Sequence, residues 1–265
     1  MQVGLIGCGN MARALARGWR RPVLCSDPIA ERARGLAEEV GGEALASNAE
    51  VARRSDLVVL CHKPAQLREV AAEVAPEARA VASILASTPL AALRVSYPER
   101  PVYRFIPSLP VEVRQGAVVQ GIDSQQSAAE DGADGGDGGG SGALDVEVTQ
   151  LFSQLGTLVV LDDSLVDVAT GLMSCAPAYV ALVAEAQIDA GVRRGIPAQL
   201  GAQLVVQTLA GTAELLRQRD FDTVAVRREV TSPGGLTARG VAALERAGLR
   251  AAFNDALDAV LGQGT

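Results

Sequence analysis

The chain has 265 residues, 48% of them hydrophobic, enough to bury a full core in one large or two ordinary domains. A net charge of −7 and a pI near 4.9, with no basic cluster, argue against nucleic-acid binding. No uncharged apolar run approaches the roughly 18 residues of a membrane span, and no basic leader precedes the first strand, so a soluble cytoplasmic protein without membrane contact is expected. Cys8, Cys25, Cys61 and Cys175 stand singly, without the spacing of a zinc site or disulfide scaffold. They read as reduced, mostly buried thiols, and no metal is expected.

The first 120 residues or so alternate short apolar runs with helical patterns. "VGLIG" (3–7), "PVLCS" (22–26), "LVVLC" (57–61) and "AVASIL" (80–85) read as buried strands. Amphipathic stretches at 30–40 and 65–75 lie between them. This alternation predicts a parallel, doubly wound α/β sheet covered on both faces. "PVYRFI" (101–106) and "GAVVQG" (116–121) read as further strands flanking "PSLP" (107–110), which cannot continue a helix. Residues 123–143 lack large apolar side chains and carry five acidic residues, so they read as a flexible surface loop. A helix (145–155) and a last strand, "TLVVLD" (157–162), complete a domain spanning 1–162.

From residue 163 to 265 the pattern is almost wholly helical, with long segments at 177–195, 197–218 and 236–262 and glycine stops at Gly195, Gly248 and Gly262. The first two of these helices are apolar on more than one side, with small residues such as Ala181, Ala184 and Gly211. One chain of this size cannot cover them, which predicts oligomerisation through this domain.

"GLIGCGNMARAL" (4–15) places Gly7, Gly9 and Ala12 in G-x-G-x-x-A between the first strand and a helix, with Asn10 and Met11 in the same turn. Gly7 permits the tight turn, Gly9 lets the backbone approach a pyrophosphate, and Ala12 lets helix and strand pack closely. A dinucleotide is therefore expected. Asp27, twenty residues after Gly7, ends the second strand where a carboxylate can accept from the adenosine ribose 2′-hydroxyl, which would favour NADH. Arg32 or Arg34 could instead reach a 2′-phosphate, and Asp27 could equally be a helix N-cap before Pro28.

"EVTSPGGLTARGVAALERAGLRAAFNDAL" (229–257), with "GCGNMARAL", "LCHKP" (60–64) and "PAYVALVAEAQIDAGVRRGIP" (177–197), resembles the pyrroline-5-carboxylate reductase family along nearly the whole chain. The resemblance implies a Rossmann domain followed by a helical dimerisation domain, in many members assembled into rings of dimers. It implies reduction of a five-membered cyclic imine carboxylate to L-proline with NADPH or NADH. Ser232 and backbone near Gly234, Gly235 and Leu236 would take the substrate carboxylate, Thr237 would face the imine nitrogen, and His62, Lys63 and Pro64 would lie beside the cofactor. Independently, "SPGG" opening a helix at Leu236 offers free N–H groups at a helix N-terminus, which suits a carboxylate.

The chain departs from the family at three places near ligands. "MSCAP" (173–177) replaces a Ser-Gly-Ser-Gly-Pro stretch, Ser108 and Leu109 replace an asparagine and a threonine, and "SDP" (26–28) replaces an Asn-Arg ending. These leave open a reductase of another cyclic imine, or a cofactor-binding member without turnover. A 3-hydroxyacid dehydrogenase needs a lysine on its long interdomain helix, but Lys63 is the only lysine; a lactate-type enzyme would have to use His62, the only histidine.

Overall fold

The computed structural model describes residues 1–123 and 141–262, so most of the loop expected at 123–143 lies outside the described residues. Contacts divide the chain into two units, Met1–Pro177 and Ala178–Thr265. The division falls later than the 162/163 boundary read from the sequence because residues 163–174 pack on the sheet unit.

The first unit is built on one eight-stranded sheet. Its strands are β1 (Val3–Ile6), β2 (Leu24–Ser26), β3 (Glu43–Ala44), β4 (Leu57–Leu60), β5 (Val81–Ser83), β6 (Val102–Pro107), β7 (Gly116–Ile122) and β8 (Gly156–Asp162). They run in the order β3-β2-β1-β4-β5-β6-β7-β8. The helices α1 (Asn10–Trp19), α2 (Ala30–Val40), α3 (Asn48–Arg54), α4 (Leu67–Val74) and α5 (Leu90–Ser96) cover the sheet. Strand order reverses between β1 and β4, the position where doubly wound sheets open a crevice at their carboxyl edge.

All seven strands read from the sequence are present, and β3 is additional. The sheet is not wholly parallel: β7 runs antiparallel to β6, in register Phe105↔Gln120 and Ile106↔Val119. The connection from Pro107 to Gly116 holds only a short 3-10 turn, Leu109–Val113, too little chain for the crossover that parallel strands need. The helix expected at 145–155 runs Ser141–Ser153. It brings Phe152 into stacking with Phe105 (ring centroids 3.8 Å) and edge-on to Trp19 (5.6 Å), whose indole N–H donates to the Leu151 carbonyl at 3.0 Å. These aromatic contacts fix α1, and with it the glycine turn, against the sheet.

After β8 the chain turns through Asp163–Leu165 into a short helix, Val166–Ala169, and a π-helical turn, Thr170–Ser174. Val166 and Ala169 pack on Ile106 and Val119. Arg104 of β6 is 1% exposed, and its guanidinium donates to Asp163 Oδ1 (2.9 Å) and Asp167 Oδ1 (2.6 Å). The other Asp163 oxygen accepts from the Leu90 amide at the start of α5. One buried cation thus ties a central strand to the segment that leaves the sheet.

The second unit is helical, with Ala198–Gln218, Thr223–Glu229, Leu236–Arg246 and Leu249–Val260 following the helix Ala176–Val192 that enters it. Gly195 and Gly248 take positive φ (95° and 82°) where helices stop, as glycine allows. Asp222 caps the unexpected Thr223–Glu229 helix by accepting from the amides of Val224 and Ala225. Among the described residues of this unit only Ala184, Gly201 and Val226 are buried. Leu182, Leu204, Val206, Phe221 and Leu236 are all more than half exposed, so a single chain leaves these apolar faces uncovered. The helical run Asp163–Val192 reaches the length and hydropathy of a membrane span, although Asp163, Asp167, Glu185 and Asp189 interrupt it.

Replacing Asp163 by alanine leaves Arg104 short of a partner and the Leu90 amide without its acceptor. Asp163→Ala is expected to lower the stability of the sheet unit by about 3 kcal/mol in urea unfolding, and an unchanged midpoint would remove the Arg104 cluster from the fold's support.

Candidate active site

The glycine turn sits between two strand ends. The Gly7 amide donates to the Ser26 carbonyl of β2 (2.9 Å), and the Cys61 amide donates to the Ile6 carbonyl (2.8 Å). Gly7 has φ +95°, and a Cβ there would lie 2.9 Å from the Cys61 carbonyl oxygen, so only glycine fits. Gly9 differs: a Cβ on it would meet nothing within 4 Å. It precedes α1 in extended conformation with no side-chain cap, leaving the first amides of that helix without a capping acceptor. Ala12 is buried, as its role in helix–strand packing requires.

Gly7, Gly9, Asp27, His62 and Lys63 line one cavity of about 320 Å³, together with Pro28, Ile29, Arg32, Cys61 and Gln66. Asn10, Met11 and Ala12 are on the first turn of α1, and Pro64 opens the 3-10 turn Pro64–Gln66; none of these four lines the cavity. No motif marked Gln66, which accepts from the Lys63 amide and so shapes the turn that presents Lys63.

Asp27 is a tie between loops. One carboxylate oxygen accepts from the Cys8 amide and the other from the Ile29 amide, each at 2.8 Å. The N-cap alternative is corrected: α2 begins at Ala30, flanked by Ile29, so Asp27 and Pro28 both lie outside the helix. The extended Ile29 delays the helix start. The His62 ring donates from Nδ1 to the Lys63 carbonyl (2.9 Å), which leaves Nε2 as the unprotonated nitrogen, buried and without a partner among the described residues. Burial lowers the pKa of this imidazole below its usual value, with the bond to Lys63 opposing it. Beneath the turn the Cys8 thiol pKa is raised, chiefly by its hydrogen bond with Cys25, and burial raises that of Cys61.

The cavity fits a dinucleotide. An open glycine side and uncapped helix amides suit a pyrophosphate between two ribosides, and two cations in the lining, Arg32 and Lys63, against one carboxylate favour an anionic ligand.

The departing segments are joined to each other. Ser174 Oγ donates to the Pro107 carbonyl at 3.2 Å. Ser108 is buried, donating from Oγ to the Ala117 carbonyl (3.1 Å) and accepting from the Ala117 amide (2.9 Å), so its hydroxyl serves the β6–β7 connection.

In the helical unit, Ser232, Gly234, Gly235, Leu236 and Thr237 share one exposed turn. The Gly235 amide donates to the Ser232 carbonyl (3.0 Å) and Gly234 has φ +69°, the requirement of a type II turn after Pro233. A Cβ on Gly235 would fall 2.4 Å from Ser232 Oγ, so glycine lets that hydroxyl lie over the turn. The Gly235 amide is thereby engaged. The uncapped amides of the helix beginning at Leu236 are the ones left for an anion. Thr231 Oγ1 turns back to the Arg227 carbonyl (2.6 Å).

A Rossmann-type sheet with a glycine-turn cavity, joined to a helical unit with exposed apolar faces, defines a dinucleotide-dependent oxidoreductase of two-domain build. Residues 2–87 match the family described as NADP oxidoreductase, coenzyme F420-dependent, and residues 163–264 match pyrroline-5-carboxylate reductase dimerisation. The chain is 34% identical to the pyrroline-5-carboxylate reductase of Thermus thermophilus, covering 100% of this chain and 97% of that one. It is 32% identical to the Synechocystis reductase, covering 98% and 95%. The Streptococcus pyogenes 1-pyrroline-5-carboxylate reductase structure superposes with TM-score 0.84 at 26% identity, over 99% of this chain and 97% of that one. The Plasmodium falciparum pyrroline carboxylate reductase with NADP bound shares the fold at TM-score 0.82 and 24% identity, over 98% and 95%. The chain belongs to the pyrroline-5-carboxylate reductase family.

The two glycines of the turn are expected to separate folding from binding. Gly9→Ala keeps the thermal midpoint of the wild type while weakening dinucleotide binding, because its methyl enters the open cavity. Gly7→Ala lowers the midpoint itself, since the strained φ and the Cys61 carbonyl both oppose a Cβ. Equal midpoints for the two variants would overturn this division of roles.

Proposed function

We propose that this protein reduces 1-pyrroline-5-carboxylate to L-proline with NADPH or NADH. The observation that carries the reading is the Ser232–Thr237 turn, a glycine-dependent bend with a hydroxyl over it and uncapped amides at the following helix start. Membership of the family supports the same substrate. Ser232 and the free backbone amides of the turn, at Gly234 and at the helix start from Leu236, hold the carboxylate through hydrogen bonds without a basic side chain, while Gly235, whose own amide closes the turn onto Ser232, keeps the approach free of a side chain. Thr237, the second residue of that helix, orients the imine nitrogen through its hydroxyl.

When bound, the reduced nicotinamide supplies the hydride. Gly7 and Gly9 form the turn over which the pyrophosphate lies, Asn10, Met11 and Ala12 open the helix whose N-terminus faces it, and Asp27, His62 and Lys63 lie beside the ribosides, with Pro64 opening the turn that carries Lys63. A protonated imine carries its own positive charge, so the protein's part is orientation and desolvation, and no strong general acid is required.

The functional division is placed at residue 163, with 1–162 binding cofactor and 163–265 binding substrate and a second copy of the chain. The exposed apolar faces of the helical unit support a homodimer, which rings of dimers would extend. Such a dimer also covers the exposed apolar side chains of the helix Ala176–Val192, in keeping with a cytoplasmic enzyme that meets neither membrane nor nucleic acid.

Purified protein should oxidise NADPH or NADH in step with formation of L-proline from 1-pyrroline-5-carboxylate. Tight cofactor binding with no turnover would reject this substrate and direct the search to other cyclic imines. Thr237→Ala is expected to lower kcat about tenfold while cofactor affinity stays unchanged. Wild-type turnover in that variant would take Thr237 out of the reaction.

A further inference from the structure

We infer that Arg32 is the residue that receives a 2′-phosphate on the adenosine ribose, and that it makes this chain prefer NADPH. The inference rests on the dinucleotide reading of the glycine-turn cavity. Four arginines occupy α1 and the first turns of α2, the elements flanking that cavity: Arg13, Arg17, Arg32 and Arg34. Arg13 and Arg17 both pair with Glu39, and Arg17 also with Glu112 at 2.8 Å. Arg34 pairs with Glu31 at 2.7 Å. Arg32 alone of the four lines the cavity, and no carboxylate among the described residues lies within ion-pair distance of it. A guanidinium held in a cavity with no counter-ion is the complement of a phosphate monoester, which it can take through two parallel N–H bonds.

The rest of the loop agrees. Asp27, the residue that would favour an unphosphorylated ribose, has each oxygen accepting a backbone amide, from Cys8 and from Ile29. Those bonds draw its charge towards the backbone of the turn. Arg32 occupies the third position of α2, an eleven-residue helix with no side-chain cap, so its guanidinium and the uncapped helix amides act on an anion at the same end. Lys63 is the other cavity cation, but it belongs to the turn after β4, whereas Arg32 belongs to the segment after β2 where the adenosine ribose is read in this fold.

Calorimetric titration with NADPH and NADH, and with adenosine 2′,5′-bisphosphate against adenosine 5′-monophosphate, tests this without turnover. The wild type should bind the 2′-phosphorylated member of each pair more tightly. Arg32→Gln should weaken NADPH about tenfold or more while NADH changes less than about twofold, and Arg32→Lys should restore part of the difference. Lys63→Gln should weaken both dinucleotides alike. An Arg32→Gln variant that keeps the wild-type NADPH to NADH ratio overturns the assignment and leaves the cofactor site standing. Failure of the wild type to bind either dinucleotide overturns the cofactor reading itself, and this inference with it.

Discussion

The close passage of the Gly7 backbone over the end of β4 is the constraint on which the rest depends. With no Cβ, residue 7 lies against the Cys61 carbonyl while its amide reaches the Ser26 carbonyl of β2. Three strand ends are thereby drawn together at the point where strand order reverses. The loops that continue from them, carrying Gly9, Asp27 and His62–Lys63, have no choice but to surround one cavity. Asp27 reinforces the arrangement by bonding the Cys8 amide across the gap, and the aromatic cluster of Trp19, Phe105 and Phe152 fixes the helix that follows. A binding crevice here is a consequence of backbone proximity, with side chains adding discrimination.

Much of this was legible in the sequence because it depends on local rules. G-x-G-x-x-A after an apolar strand and "SPGG" before a helical pattern each specify a backbone shape, and the structure has both turns. The strands β1, β2, β4 and β5 were readable because buried parallel strands are near-continuous in hydrophobic residues. What escaped reading depends on partners far away in the chain. Glu43–Ala44 becomes a strand only because β2 offers it an edge, and its two residues carry no pattern of their own. The antiparallel β7 follows from the length of a connection, and Arg104 is buried because Asp163 and Asp167 come to meet it. The Thr223–Glu229 helix had a readable cap in Asp222 that its short length concealed.

The candidate site residues divide in the same way. Their place on shared turns could be read, but the partner of each side chain could not. Asp27 stood at the place expected of a ribose acceptor, yet its oxygens are bonded to two backbone amides. Ser108 stood where the family has an amide, and its hydroxyl closes the β6–β7 connection instead of reaching a ligand. Among neighbouring arginines, sequence spacing left Arg32 and Arg34 equivalent, and they are distinguished by Glu31, which pairs with Arg34, and by the cavity, which Arg32 lines. Hydrogen-bond partnership is a three-dimensional property, and a motif records only the opportunity for it.

The helical unit has a consequence of another kind. Its helices keep three described residues buried within one chain and leave long apolar side chains outward. A fold completed by a second chain gains stability by mass action, in proportion to RT times the logarithm of protomer concentration. Dilution would then act on this unit as a denaturant does, while the sheet unit, with its own closed core, is indifferent to it. The two halves of one polypeptide would answer to different variables, one to temperature and solvent, the other also to how much of the protein the cell makes.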